Sequence, residues 1–335
     1  MANSTAAVGK VAEFWRVVRD LNPESVRREI ARGFSLALLG RDERGREAVR
    51  HALRPASGQE RGTYLIDLPM PAIGESRPLA PRADLYIYVV DAATGLTGAD
   101  VTALEQLYLL ARPTALVFSG DGRGPLAGDL EQVSRDLGGL VSQALSIDPS
   151  DPAAVELHLA LLLVRVLPSR VLAMAHALAG VRGLVAESLI AETSRVNAEF
   201  ALLSNLPANI PILGTLLGAG ADLIVLTKNQ AMLMLKLAAI YGRDLEHKGR
   251  LACEIAPVVG AAFAWRTIAR LLVGGLPSPV AALPKTAIAY AGTFVVGKTA
   301  RYYYENGYQP TPRETKRFAE EAAADWRRAI AETAG

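Results

Sequence analysis

The sequence predicts an α/β domain, a mostly parallel sheet with flanking helices, followed by an all-α helical region. Between residues 34 and 166, short apolar runs alternate with helical stretches of roughly ten to fifteen residues, the pattern of βαβ units. Beyond Pro168 the strand patterns stop and only helical periodicity continues. With 335 residues the chain is long enough to bury two separate cores.

Residues 1–32 read as an amphipathic helical lead-in, with Val11, Phe14, Trp15, Val18 and Leu21 on one face. Asn22 is placed to cap a restarted helix, with Pro23 at its first position. The α/β domain is expected over 33–167. Its strands are expected at 34–39, 63–67, 85–91, 114–119 and 144–147, and its helices near 45–53, 98–111, 126–138 and 152–166. A helical domain over 168–307 follows, with segments near 169–180, 183–204, 212–225, 226–241, 247–257, 258–273 and 284–304. Residues 308–335 form a charged amphipathic C-terminal helix that begins at Thr311 and Pro312.

Composition excludes several classes. Lys plus Arg is 36 against 34 acidic residues, so no basic excess asks for nucleic acid. A single Cys253 excludes a disulfide framework, and His51, His158, His176 and His247 have no metal-ligand spacing. No Ser/His/Asp or Cys/His constellation supports another kind of hydrolase. The N-terminus lacks a signal-peptide pattern, and the expected setting is the cytoplasm. The apolar fraction is 50% with only 6% aromatic residues, the Ala, Leu, Val and Gly mix of closely packed helices.

A phosphate-binding loop needs a buried strand, then two glycines five apart followed by Lys and Ser or Thr, then a helix. After the apolar run 34–39, Gly40 and Gly45 have that spacing, but Arg46 stands for the lysine and Glu47 for the hydroxyl. A second acidic landmark, Asp67, ends the next strand and lacks the glycine three residues on, where Met70 stands. The run 83–100, from Ala83 and Asp84 through Asp91 and Gly95 to Asp100, closely resembles the central strand and following helix of Ras/Era-like GTPases. At 113–122 those proteins read guanine with Asn-Lys-x-Asp. Here Ser119, Gly120, Asp121 and Gly122 stand instead, with Asp121 one position away from the family's Asp.

This resemblance, over five strands in order, implies GTP with magnesium as the ligand and Gly40, Gly45, Arg46, Glu47, Asp67 and Asp121 as its contacts. Three of the contact points have changed, which predicts a pseudo-GTPase without catalytic residues. If chemistry is retained it is GTP hydrolysis. Glu47 would set a carboxylate against phosphates, a repulsion unless a metal intervenes.

Gly292, Gly297, Lys298 and Thr299 match the phosphate-loop pattern letter for letter. No strand follows them to supply a magnesium-binding Asp. Ala287, Ala289, Ala291, Gly292 and Gly297 suit close helix packing instead.

The stretch from Leu206 through Pro211, Gly218 and Asp222 to Gly242 resembles a bacterial helical domain that follows such G domains and also occurs in YcjF-type membrane proteins; residues 289–307 fit its end. The resemblance implies membrane association, peripheral or integral at the cytoplasmic membrane, with a membrane surface, a membrane protein or another protein as partner. Residues 200–221 carry no charge, near the length of a span, but Pro207 and Pro211 argue against one straight helix. Asp222, Asn229 and Lys236 recur every seven residues, with Thr227 and Gln230 nearby. They read either as a polar network between helices or as the solvated face of a bundle helix, and ordinary amphipathicity favours the solvated face. Three functions follow: a non-catalytic regulatory or scaffold protein coupling a G-like domain to a membrane-associated helical domain, a divergent active GTPase controlling membrane association, or a soluble helical interaction module.

Overall fold

A computed structural model describes residues 23–56, 64–69, 82–120, 130–203, 221–245 and 283–334. The chain divides into two compact units, one of them Arg28–Val185 and the other built mainly from Ala186–Gly335.

Helix α1 (Glu24–Ile30) straddles the division at Arg28, and in the first unit there follow β1 (Leu36–Gly40), α2 (Glu43–Ala52), β2 (Leu65–Pro69), β3 (Leu85–Asp91), α3 (Gly98–Tyr108), β4 (Thr114–Ser119), α4 (Leu130–Asp136), β5 (Gln143–Ile147), α5 (Pro152–Val166), α6 (Val171–Ala177) and α7 (Ala179–Leu203), the last continuing into the second unit. The five strands form one sheet in the order β2-β1-β3-β4-β5, every neighbouring pair parallel. Strands β1, β3 and β4 are buried on both faces, which is why they read as unbroken apolar runs rather than alternating ones.

Successive side chains alternate between faces. Ala37, Leu39, Tyr86, Tyr88, Val90, Leu116 and Phe118 point to one face, where they pack against Ala103, Leu104 and Leu107 of α3 and Leu130 and Val133 of α4. Leu36, Leu38, Leu85, Ile87, Val89, Ala115 and Val117 are buried on the other, the side of α2 and its neighbour α5. The expected strands are thus all present, with the β1 and β2 boundaries lying one or two residues later.

The first unit extends past the expected boundary at 167. Ala56 N–H donates to the Ala177 carbonyl at 2.7 Å, and Pro55 bridges Leu178. Arg182 Nε and Nη2 donate to the Ala175 and His176 carbonyls, so a cation closes the negative end of α6.

The second unit holds the rest of α7, α8 (Ala221–Ile240), α9 (Leu283–Asn306) and α10 (Pro312–Ala334). Helix α8 is continuous where two segments meeting at 225/226 were expected. Helix α10 starts where Thr311 and Pro312 predicted. Thr311 N–H donates to Glu314 Oε2 at 2.6 Å and Glu314 N–H to Thr311 Oγ1 at 3.3 Å, a reciprocal cap. Phe318, Ala319 and Ala322 are buried, so its apolar stripe is covered rather than solvated. Gly297 lies in α9, not in a loop; an added Cβ would stand 2.7 Å from Ile190 and 3.2 Å from Leu233. The letter-perfect phosphate motif is a helix-packing stripe.

Among the described residues no single helix is long and apolar enough to cross a membrane. Helices α5 and α6 together meet length and composition, but the chain bends by 103° between them. The lead-in at 1–22, most of the uncharged run at 200–221, and the helices expected at 247–257 and 258–273 lie outside the described residues.

Candidate functional site

The site that the sequence points to lies where β1 hands the chain to α2. Gly40 has φ +119°, and a Cβ there would stand 1.9 Å from the Val89 carbonyl oxygen. Only glycine fits, because β1 presses its last peptide against β3. Two residues, Arg41 and Asp42, then lead directly into α2, which starts at Glu43 rather than near residue 45. The cause is Asp42. Its carboxylate accepts the Arg44 N–H at 3.1 Å and its carbonyl accepts the Arg46 N–H at 2.9 Å, the two roles of an N-cap.

The expected long loop is therefore replaced by helix, and a carboxylate sits at the positive helix end where an anion would be held. Gly45 is inside the first turn of α2. Its added Cβ would lie 2.5 Å from Ser119 Cβ, so its smallness serves packing of α2 on β4.

One helical face then gathers charge. Glu43, Arg46, Glu47 and Arg50 recur at spacings of three and four. Arg46, 4% exposed, donates Nη1 to Asp67 Oδ1 at 2.5 Å and Nη2 to Glu43; its Nε is buried without a partner. Arg50 donates Nε to the other Asp67 oxygen at 2.8 Å, Nη2 to Glu43 at 3.3 Å and Nη1 to Glu47. Two guanidinium groups thus pair with three carboxylates, Glu43, Glu47 and Asp67. Both guanidinium groups are already engaged by these carboxylates, which leaves less of their charge for a further anion. Glu47 is exposed and paired to Arg50 one turn further along α2. Asp121 lies outside the described residues.

A second polar knot closes the neighbouring loop. Asp100, 3% exposed, accepts the Thr97 N–H at 2.8 Å, the Thr97 hydroxyl at 2.6 Å and the Tyr88 hydroxyl at 2.8 Å. Arg41 Nη2 donates to Thr97 Oγ1 at 2.8 Å and lies 3.5 Å from Asp100. Burial alone would raise the Asp100 pKa, but the bonds from Thr97 and Tyr88 and the Arg41 charge outweigh it and hold it below the ordinary carboxylate value. Burial, with the Asp100 bond, pushes the Tyr88 hydroxyl well above its usual value. At the end of β3, Asp91 is held low by the Ala93 N–H and the Thr94 hydroxyl.

A carboxylate whose folded-state pKa is depressed contributes stability that is fully present above its unfolded value of about 3.9 and is lost as pH falls through the folded value. These carboxylates therefore make the α/β unit lose stability in acid, below about pH 4. Asp100→Asn should flatten that limb, as read by circular dichroism melts across the acid range. An unchanged acid limb in that variant would refute the role given to Asp100.

In the helical unit the expected stripe divides. Asn229 Nδ2 donates to Asn197 Oδ1 at 2.7 Å, Asn197 Nδ2 to Thr293 Oγ1 at 2.8 Å, and Gln230 Nε2 to the same hydroxyl at 3.1 Å. Asn229 and Gln230 therefore face inward, which corrects the expected solvated face. Their partners sit on α7 and α9 at 0% exposure, and only neighbouring helices create that demand. Thr227 and Lys236 are half-buried on α8, outside these three bonds, and the Asp222 side chain lies outside the described residues.

Lys298 joins Glu187 at 2.8 Å and Glu321 at 3.3 Å, and Arg301 joins Glu187 and Glu305, an alternating chain of charge linking α7, α9 and α10. These charges line a polar cleft with Tyr302 and Phe318, and every cation in it but Arg317 is shared between two carboxylates.

Asp42, Glu43, Arg50, Arg41, Tyr88 and Asn197 are site residues that the motif reading missed. A signal was present for the first two: Asp before an acidic first turn marks a helix start. No candidate metal cluster of three or more His, Cys, Asp or Glu occurs among the described residues. Compared with known proteins, the chain matches no family model, and no curated protein matches it.

Proposed function

We propose that this chain is a non-catalytic pseudo-GTPase, a regulatory or scaffold protein whose G-like domain is joined to a helical region that engages a membrane surface or a protein partner. One observation carries the non-catalytic part: α2 begins at Glu43 under an Asp42 cap, and Arg46 and Arg50 are paired with Asp67 and Glu43. Phosphoryl transfer requires backbone N–H groups and a cation free to hold the terminal phosphates, together with a magnesium-binding hydroxyl. Here the cap takes the helix end, the cation is spent on Asp67 and Glu43, and the hydroxyl position carries Glu47. The strand order supports a G-like frame: Asp67 lies on the strand beside β1, opposite Leu38, and is the acidic residue that the resemblance takes as the family's second landmark.

The test is nucleotide binding. The purified protein is expected to carry no nucleotide and to show no Mg·GTP binding by fluorescent-nucleotide titration up to millimolar concentration. Tight Mg·GTP binding that disappears in Arg46→Ala would overturn the proposal and restore the divergent GTPase. The membrane part is tested separately by flotation with liposomes, where full recovery in the lipid-free fractions would remove it.

A further inference from the structure

Strand β5 closes one edge of the sheet, and among the described residues no strand pairs with its outer side. Exposed strand edges are normally blunted by charge, proline or a bulge. The opposite edge, β2, carries Asp67 and ends at Pro69. Strand β5 with its preceding residue reads Ser142, Gln143, Ala144, Leu145, Ser146, Ile147, with neither charge nor proline. The Ile147 carbonyl faces β4, where it accepts the Gly120 N–H at 2.9 Å. Peptide groups alternate along a strand, so those of Ser146 and Ala144 face outward.

Beside this edge runs an apolar stripe of α5. Leu157 is 50% exposed and Leu161 49% exposed. Arg165, the next residue of the same stripe, donates to the Gln143 side chain at 3.3 Å, which fixes the stripe on the β5 side of the helix.

We propose that β5 and α5 form an interface with a second copy of this chain, the two β5 strands pairing antiparallel about a two-fold axis at Leu145. The symmetry fits the residues. An isologous contact sets each surface against itself, so charge near the axis would meet its own kind. None lies there. Away from the axis, antiparallel pairing brings the Asp148 end of one β5 to the Gln143 and Arg165 end of the other, a carboxylate against a guanidinium, twice. Ala144 and Ser146 of one copy exchange main-chain hydrogen bonds with Ser146 and Ala144 of the other. The two α5 helices then share one face of a continuous ten-stranded sheet, and Leu157 and Leu161 of each turn toward the axis.

The experiment is sedimentation of the full chain over a concentration series, in the presence and absence of anionic phospholipid vesicles. The expected result is a reversible species of twice the 35.6 kDa chain mass. Leu157→Glu with Leu161→Glu should leave only monomer with an unchanged circular dichroism spectrum. Arg165→Glu should weaken association about fivefold, and adding Asp148→Arg to it should restore association. This charge swap keeps the test decisive if the double-Glu chain fails to fold. A monomer at every concentration, or a dimer indifferent to the swap, overturns the proposal. So does a monomer that pellets with vesicles only while Leu157 and Leu161 are intact, which would make the stripe a lipid contact instead.

Discussion

Gly40→Ala is expected to destabilise the α/β unit by about 3–5 kcal/mol in protein that has never met a nucleotide. The figure combines two costs. A β-carbon at φ +119° occupies a region that L-residues rarely adopt, at about 1–3 kcal/mol. It would also stand 1.9 Å from the Val89 carbonyl oxygen, a main-chain atom of the central strand that cannot rotate away. Moving β3 costs about as much as overpacking a core, 1–3 kcal/mol. Against a typical domain stability of about 5–15 kcal/mol, the loss is large enough to see in a urea melt or in hydrogen exchange of β1 and β3. A loss under about 1 kcal/mol would sink the steric account. It would leave close approach of a ligand as the reason for glycine at this position.

Thr293→Val should cost the helical unit about 2–4 kcal/mol. The change keeps shape and removes one hydroxyl, so cavity effects are small. That hydroxyl accepts from Asn197 at 2.8 Å and from Gln230 at 3.1 Å and donates to the Ala289 carbonyl at 2.9 Å. With valine, two amide donors lose their acceptor in a place where Asn197 and residue 293 are wholly buried. Thr293→Ser, which keeps the oxygen and loses a methyl, should cost about 1 kcal/mol. Equal unfolding free energies for the two variants would show that the amides find other partners and that the layer contributes little.

The sheet was legible in the sequence because its strands are buried on both faces, and burial of that kind leaves a dense run of Val, Leu, Ile and aromatic residues with sharp ends. Strands β3 and β4 fall where the runs from Leu85 and from Thr114 begin and end. The start of α2 was misplaced for a physical reason. The glycine spacing suggested a loop through Gly45, while Asp42 and Glu43 carried the ordinary marks of a helix start, and the local capping energy prevailed. Within the site, Arg46 and Asp67 were foreseeable as a lysine substitute and an acidic landmark. Their direct bond was not, because it depends on β1 and β2 lying side by side. The inward turn of Asn229 was hidden for a similar reason. Periodicity along one helix reports a face, but whether that face meets water or Asn197 is decided by a helix far away in the chain.

The all-parallel ladder has a consequence for the order in which the chain can find its shape. No two neighbouring strands can meet through a tight turn, so every pairing waits for a crossover to be complete. Leu36 must find Leu85 across all of α2 and β2, and β3 is the hub on which both halves of the sheet grow. Topologies of this kind accumulate distant contacts and collapse slowly. During synthesis β1 and the cap of α2 emerge before β3, and β1 cannot dock on its central neighbour until Asp91 has left the ribosome. Until then the β3 side of β1 lacks its partner, the period in which such a chain is most exposed to aggregation or chaperone capture.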